Sequence, residues 1–208
     1  MLIQGSVGQP STTSIQPGTT PTLRQGQLGE MVVQELHGRY YETAYRRNMF
    51  NGSVQGTGIT TSAGLVTGYT GLALTNPTSS TVNLVLTKVG YGVNAAPTAV
   101  MVVSLAFNTS TTAVTQTTAI TGRNNFLGGA TPQGLVASAT TFPTAPINAQ
   151  ILGVIGTNAV TALSETLNVV DMEGSIVMPP GSYVCIVTST ASAATSFWGS
   201  FMWEEVPV

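Results

Sequence analysis

Charge is what this chain has least of. Its six Lys and Arg and eight Asp and Glu make up 7% of 208 residues, where an average soluble domain carries about 25%. A net charge of −2 supplies no basic footprint for phosphates, which argues against a nucleic-acid partner. Histidine and cysteine occur once each, as His37 and Cys185, so the side chains that usually move protons or attack as nucleophiles are scarce. A single cysteine excludes an intramolecular disulfide and fits folding in a reducing compartment. No apolar run reaches the ~18 residues of a membrane-spanning helix. The opening MLIQGSVGQPSTTS has neither the basic head nor the apolar core of a secretory signal. The expectation is a chain with no membrane and no nucleic-acid partner.

Uncharged polarity fills the space that ions leave. Thr occurs 33 times and Gly 23 times, while apolar residues reach 42%. β-branched Thr fits a pleated surface, and Gly, Asn and Ser supply tight turns. The length allows one large domain, or a medium domain with an arm. So few surface ions protect weakly against association, and self-assembly is expected.

The chain reads as three segments. Residues 1–29 form the first; across 4–29 they hold Pro10, Pro17 and Pro21 and only four large aliphatics, Val7, Ile15, Leu23 and Leu28. That composition cannot offset chain entropy by burial of its own. It reads as an extended N-terminal arm, either a disordered tail or a strap ordered on a neighbouring subunit.

Residues 30–53 form the second segment. Seven of the fourteen charges lie between Arg24 and Arg47, whereas the stretch from 48 to 164 carries only Lys88 and Arg123. Helical spacing would pair Glu35 with Arg39 and Glu42 with Arg46; strand spacing would set Leu36, Tyr40 and Glu42 opposite His37, Arg39, Tyr41 and Tyr45. Gly38 weakens a helix and adjacent tyrosines suit a strand, so extended structure is expected here. An Arg/Glu/Tyr cluster in a charge-poor chain suits a docking contact, because charge pairs set register and Arg and aromatics are enriched at interfaces. The candidate interface is Leu36, His37, Arg39, Tyr40, Tyr41, Glu42, Tyr45, Arg46 and Arg47. Its bland alternative is a solvated face capping one end of the domain.

Residues 54–208 form the third segment, and its pattern is β. Alternation runs through VNLVLTKV (82–89), TAVMVVSLAFN (98–108), SYVCIVTST (182–190) and SFWGSFMWEEV (196–206). In the last of these Phe197, Phe201 and Trp203 share one face and Trp198, Ser200 and Met202 the other. Shorter candidates are 64–74, 112–120, 149–156 and 165–172. Many short strands between Gly, Pro and Asn turns indicate an all-β antiparallel sandwich or jelly roll. The connections 122–134 and 139–149 are long enough to require a role or something to pack on, and contact with a neighbouring subunit is expected for them.

Chemistry finds little foothold, and the expectation is no enzyme, cofactor or metal. Cys185, on a strand that reads as core, is expected to be inert, and His37 to be a structural or surface residue rather than a general base. Asp171 and Glu173 could give two of the six to eight oxygens of a calcium site, or simply mark a turn. Glu204 and Glu205 read as an exposed rim or as partners of Arg46 and Arg47. No GxxxxGK[ST] phosphate loop occurs. Trp198, Trp203 and Tyr183 could stack on sugars, though core or interface packing is the commoner fate of such rings. A polysaccharide hydrolase would need a carboxylate pair whose spacing is not evident.

Two stretches carry a resemblance. ELHGRYYETAYRRNMFNG (35–52) and MPPGSYVCIVTSTASAATSFWGSFMWEEVPV (178–208) together resemble small virion structural proteins of tailed bacteriophages. In these an LHGRYYE-like segment precedes a Thr/Gly/Ala-rich β domain ending in a PPGSY strand and a WEE(V/I)P tail. The matching positions are Leu36 to Glu42, Pro179 to Tyr183, and Trp203 to Pro207. The resemblance implies a capsid cement or decoration protein of jelly-roll type, made in the host cytoplasm and placed on the capsid surface. Its implied partners are the major capsid protein and copies of itself, as a homotrimer at three-fold positions in preference to a dimer at two-fold ones. A fibre, neck or receptor-binding module recognising host glycans is the alternative.

Overall fold

The computed structural model describes residues 38–156 and 168–208, together with the strand backbone of 5–7 and 23–25. Met1–Arg39 and Tyr40–Val208 are separate units. In the first, β1 (Gly5–Val7) pairs in parallel with β2 (Leu23–Gln25); the remainder of the arm expected over 1–29 lies outside the described residues.

Among the described residues, the secondary structure of the second unit is strand apart from one short helix. A five-residue helix, α1 (Tyr41–Tyr45), precedes β3 (Met49–Ser53), β4 (Gly68–Thr75), β5 (Val82–Val93), β6 (Met101–Thr109) and β7 (Thr115–Ile120). There follow β8 (Arg123–Asn124), β9 (Leu135–Thr141), β10 (Ile147–Ile155), β11 (Asn168–Met178), β12 (Ser182–Thr188) and β13 (Phe197–Pro207). Two antiparallel sheets result, ordered β10-β6-β12-β4-β9-β7 and β11-β5-β13-β3-β8. Because β3 is a strand of the second sheet, the sandwich begins inside the segment 30–53.

The pairing is nested. β3 pairs with β13, β4 with β12, β5 with β11 and β6 with β10. The chain thus runs out and back as one long double strand, with β7, β8 and β9 inserted at its tip. There β9 adds to β4 and β8 to β3.

Alternation decides which side chains fill the space between the sheets. Phe197, Phe201 and Trp203 of β13 point inward, as their spacing predicts, and meet Leu72, Leu74, Met101, Val103, Leu105, Val184 and Ile186 from the facing sheet. Each such buried side chain contributes about 1.5–3 kcal/mol. β5 keeps the predicted face through Leu84 and Leu86 and then changes phase. Thr87 is buried with its hydroxyl donating to the Met202 carbonyl at 2.8 Å, so Val89 and Tyr91 take up the inner face.

The six-stranded sheet is covered on its other face as well. Tyr183, Cys185 and Val187 of β12 point away from the inter-sheet core and form a second apolar layer with Tyr69, Ala73, Ala106 and Phe142. Residues 142–146 produce that layer, because they join β9 to β10 and three strands of the sheet lie between those two. The segment crosses the sheet's outer face. Phe142 stacks on Tyr183 at 4.4 Å and lies 5.4 Å from Tyr69. Tyr183 donates its hydroxyl to the Thr144 carbonyl, and Asn108 donates to the Ala145 carbonyl at 2.9 Å. This part of the connection therefore packs on its own subunit.

Buried polar side chains are nearly all hydroxyls and amides, most of them bonded to backbone carbonyls or to one another. Thr61, Thr188 and Ser192 form one such cluster, with Thr61 Oγ1 2.8 Å from Thr188 Oγ1 and 3.0 Å from the Ser192 nitrogen. It ties the β3–β4 connection to the end of β12. Asn76, in the predicted turn NPTSS, donates from Nδ2 to the carbonyls of Val82 at 2.8 Å and Met178 at 2.9 Å. Standing just past β4, it bridges one sheet to the other.

Candidate interaction surface

The charged segment forms a helix where extended structure was expected. α1 spans Tyr41–Tyr45, and Gly38, which weighed against a helix, stands ahead of it rather than inside it. Glu42 and Arg46 make the i,i+4 pair, with Arg46 Nε 2.7 Å from Glu42 Oε1. The Tyr41 and Tyr45 rings, also four apart, stack at 5.8 Å. In so short a helix such pairs contribute only tenths of a kcal/mol each, so its position depends on what lies at its two ends.

Both ends are pinned to the sandwich. At the front the Tyr40 hydroxyl donates to Asp171 Oδ1 of β11 at 2.7 Å, and the Lys88 ammonium of β5 lies 5.1 Å from the Tyr40 ring centroid. A cation at that distance is attracted by the ring's negative face. At the rear Arg47 takes a left-handed backbone conformation (φ 67°) and lays its guanidinium 4.6 Å over the Phe126 ring. Its carbonyl accepts from Asn124 Nδ2 at 2.7 Å, and the Asn48 carbonyl accepts from the Glu205 nitrogen at 2.9 Å. A non-glycine residue held at positive φ needs such surrounding contacts to stay there.

The candidate interface is therefore divided. Tyr40 and the still exposed Arg47 make contacts with the sandwich, whereas Tyr41, Glu42 and Tyr45 of α1 and Arg46 at its C-terminal cap stand exposed and take part in the ring stack and the ion pair. Arg39 is exposed too, and Leu36 and His37 lie outside the described residues.

The carboxylates elsewhere have structural surroundings. Asp171 accepts from the Glu173 backbone N–H at 2.9 Å as well as from Tyr40, which makes Asp171–Glu173 a turn within the bulged part of β11. Glu205 is not a rim residue. It is buried, and its Oε1 accepts from the Gly134 backbone N–H at 2.8 Å and from the Trp203 indole at 3.3 Å. Burial raises the Glu204 carboxyl above its usual range. Among the described residues no three His, Cys, Asp or Glu side chains converge as metal ligands would. Cys185 is fully buried, and burial pushes its thiol far up, away from the thiolate that reactivity needs.

Two of the three rings considered for sugar stacking are unavailable. Trp203 and Tyr183 lie wholly inside, and Trp198 is partly buried. A cavity of about 430 Å³ lies between residues 54–59 and β7; among its lining side chains Arg123 alone is charged. The loops beside it contribute threonines and glycines, not acids.

Sequence reasoning passed over another surface, the edge strand β10. It was expected as a strand, but its exposure was not foreseen. INAQILGVI has apolar residues in both phases and no charge, a pattern that fits a strand partnered on both faces. No protein-family model, curated protein or solved structure matches the chain.

Proposed function

We propose that this chain is a virion structural protein of the tailed-phage kind, a capsid cement or decoration protein that stabilises the head by binding across major capsid protein subunits. In this reading it acts without catalysis or cofactor, and its partners are the shell and further copies of itself. The N-terminal residues 1–29 serve as the arm.

The proposed fold within the all-β class is the jelly roll. Its support is the nested strand order, in which β11-β5-β13-β3 faces β10-β6-β12-β4, the arrangement of an eight-stranded roll with an insertion after its fourth strand. Jelly rolls serve as capsid and lectin domains among others, so the fold by itself does not choose a function.

The observation that carries the functional reading is α1. It presents two tyrosines, an arginine and a glutamate outward from a sandwich with few other ions, and its ends are fixed to two strands and a loop. A preformed contact of that composition suits a register-setting dock on a protein surface.

Quantitative mass spectrometry of purified particles tests it. A cement protein on a closed shell occurs on the order of hundreds of copies, a fibre on the order of tens. Changing Tyr41 and Tyr45 to Ala, or removing residues 1–29, is expected to lower occupancy while the sandwich stays folded. Absence from particles, or full occupancy in both variants, overturns the assignment.

A further inference from the structure

Four strand edges bound the two sheets, and three are guarded. An open edge invites another strand, which proteins discourage by shortness, charge or bulges. β8 has two residues. β11 carries Asp171 and Glu173 and breaks register between Asp171 and Ile176. β7 is short and polar, with Thr115, Gln116, Thr117 and Thr118 in a row.

β10 also breaks register with its neighbour, but it is neither short nor charged. Its nine residues contain no charge and no proline. Ile151 and Val154 pair with Ser104 and Val102 on the face that points away from the core, and they are 68% and 59% exposed. Val100, just before β6, and Leu65 are 56% and 40% exposed. Leu65, Val102 and Val187 line a cleft of about 90 Å³ together with Ser104, Asn148 and Thr188.

We propose that β10 pairs antiparallel with β10 of a second copy about a two-fold axis, joining two six-stranded sheets into one and covering Ile151, Val154 and their neighbours. The edge itself calls for a strand. Two features select the same strand from another copy. The surface is uncharged, so two of them meet without repulsion. β10 also breaks register with β6 between Asn148 and Gln150 and again between Ile151 and Gly153. Such bulges add twist, which a regular foreign strand does not match and an identical strand related by a two-fold does. Leu65, Val100, Ile151 and Val154 supply the apolar part of such an interface, and the strand backbone, Gln150 and Asn148 supply polar area around it. This pairing is independent of the virion reading, since it is decided in solution.

Sedimentation equilibrium of the full chain tests it. The chain is expected to be a dimer, and Ile151→Lys to weaken association at least tenfold without changing circular dichroism. Val154→Lys serves if that variant fails to fold. Leu127→Lys, at an exposed site on the connection after β8, is expected to leave the dimer intact. Ile151→Cys is expected to give covalent dimers with a bifunctional thiol reagent, Cys185 being buried. A chain monomeric up to about 100 µM, a trimer, or a dimer indifferent to both lysines overturns the proposal.

Discussion

Glu205 Oε1 lies 2.8 Å from the backbone nitrogen of Gly134 and accepts its hydrogen bond inside the protein. The carboxylate thereby ties the last strand to the start of β9. Gly134 is itself confined, because a Cβ there would come within 2.9 Å of Leu84 and 3.0 Å of the Trp203 indole. Glu205→Ala is expected to lose about 1.5–3 kcal/mol, the worth of a hydrogen bond to a charged group. Glu205→Gln, which keeps an acceptor, should lose less. Urea unfolding of both variants checks the order.

Asn76 should matter as much, for a different reason. Its amide nitrogen is the donor for the Val82 and Met178 carbonyls, so Asn76→Ala leaves two buried acceptors without it. A loss of about 2 kcal/mol or more is expected, a fall of roughly 4–8 °C in Tm for a domain of this size. Asn76→Asp should be worse, since a carboxylate would face two carbonyls with no proton to give. A melting series of the two variants decides it.

Phe142 covers the outer layer of the six-stranded sheet. Phe142→Ala is expected to cost about 3–5 kcal/mol and to open a route to Cys185 below it. In the unmodified protein Cys185 should react with a disulfide reagent no faster than the layer opens. In the variant the reaction should accelerate by at least an order of magnitude. Equal rates would mean that residues 142–146 do not gate the thiol.

Alkaline pH should destabilise the fold. Burial pushes the Cys185 thiol up from its ordinary 9.0, and burial, followed by the neighbouring Cys185, pushes Tyr69 and Tyr183 up from 10.0. Above those ordinary values the unfolded chain gives up protons that the folded chain keeps. Stability then falls with rising pH, by up to about 1.4 kcal/mol per pH unit for each group, and these groups contribute no slope below about pH 8. Urea midpoints are expected to hold steady from pH 7 to 8 and to decline from about pH 9. Cys185→Ala should remove the first part of that decline, and an unchanged decline would assign it elsewhere.

Local alternation made most strands legible. β5, β6, β12 and β13 were apparent because one phase of each is large and apolar and the other small or polar. β9 was not, since most of LVASATT is small: its Ala137 is the register partner of Ala73, which lies in the outer layer. β3 was hidden because it follows directly on the charged segment and reads as part of it. In α1 two tyrosines spoke for a strand, and the contacts that hold the helix come from Asp171, Lys88 and Phe126, far away in sequence. The exposed edge of β10 escaped for a related reason. Periodicity reports which residues share a face, but whether a neighbour covers that face depends on strand order, which only long-range pairing determines.

That strand order also governs how the molecule can come into being. β12 and β13, synthesised after all the other strands, occupy interior positions, β12 between β6 and β4 and β13 between β5 and β3. A nascent chain that stops short of them has its earlier strands in unconnected groups of two or three, with no seam linking β3 to β5 or β4 to β6. The six-stranded sheet cannot be joined before translation has passed Thr188, nor the five-stranded one before Pro207, so folding is postponed to a late step dominated by contacts distant in sequence, the slow class of topology.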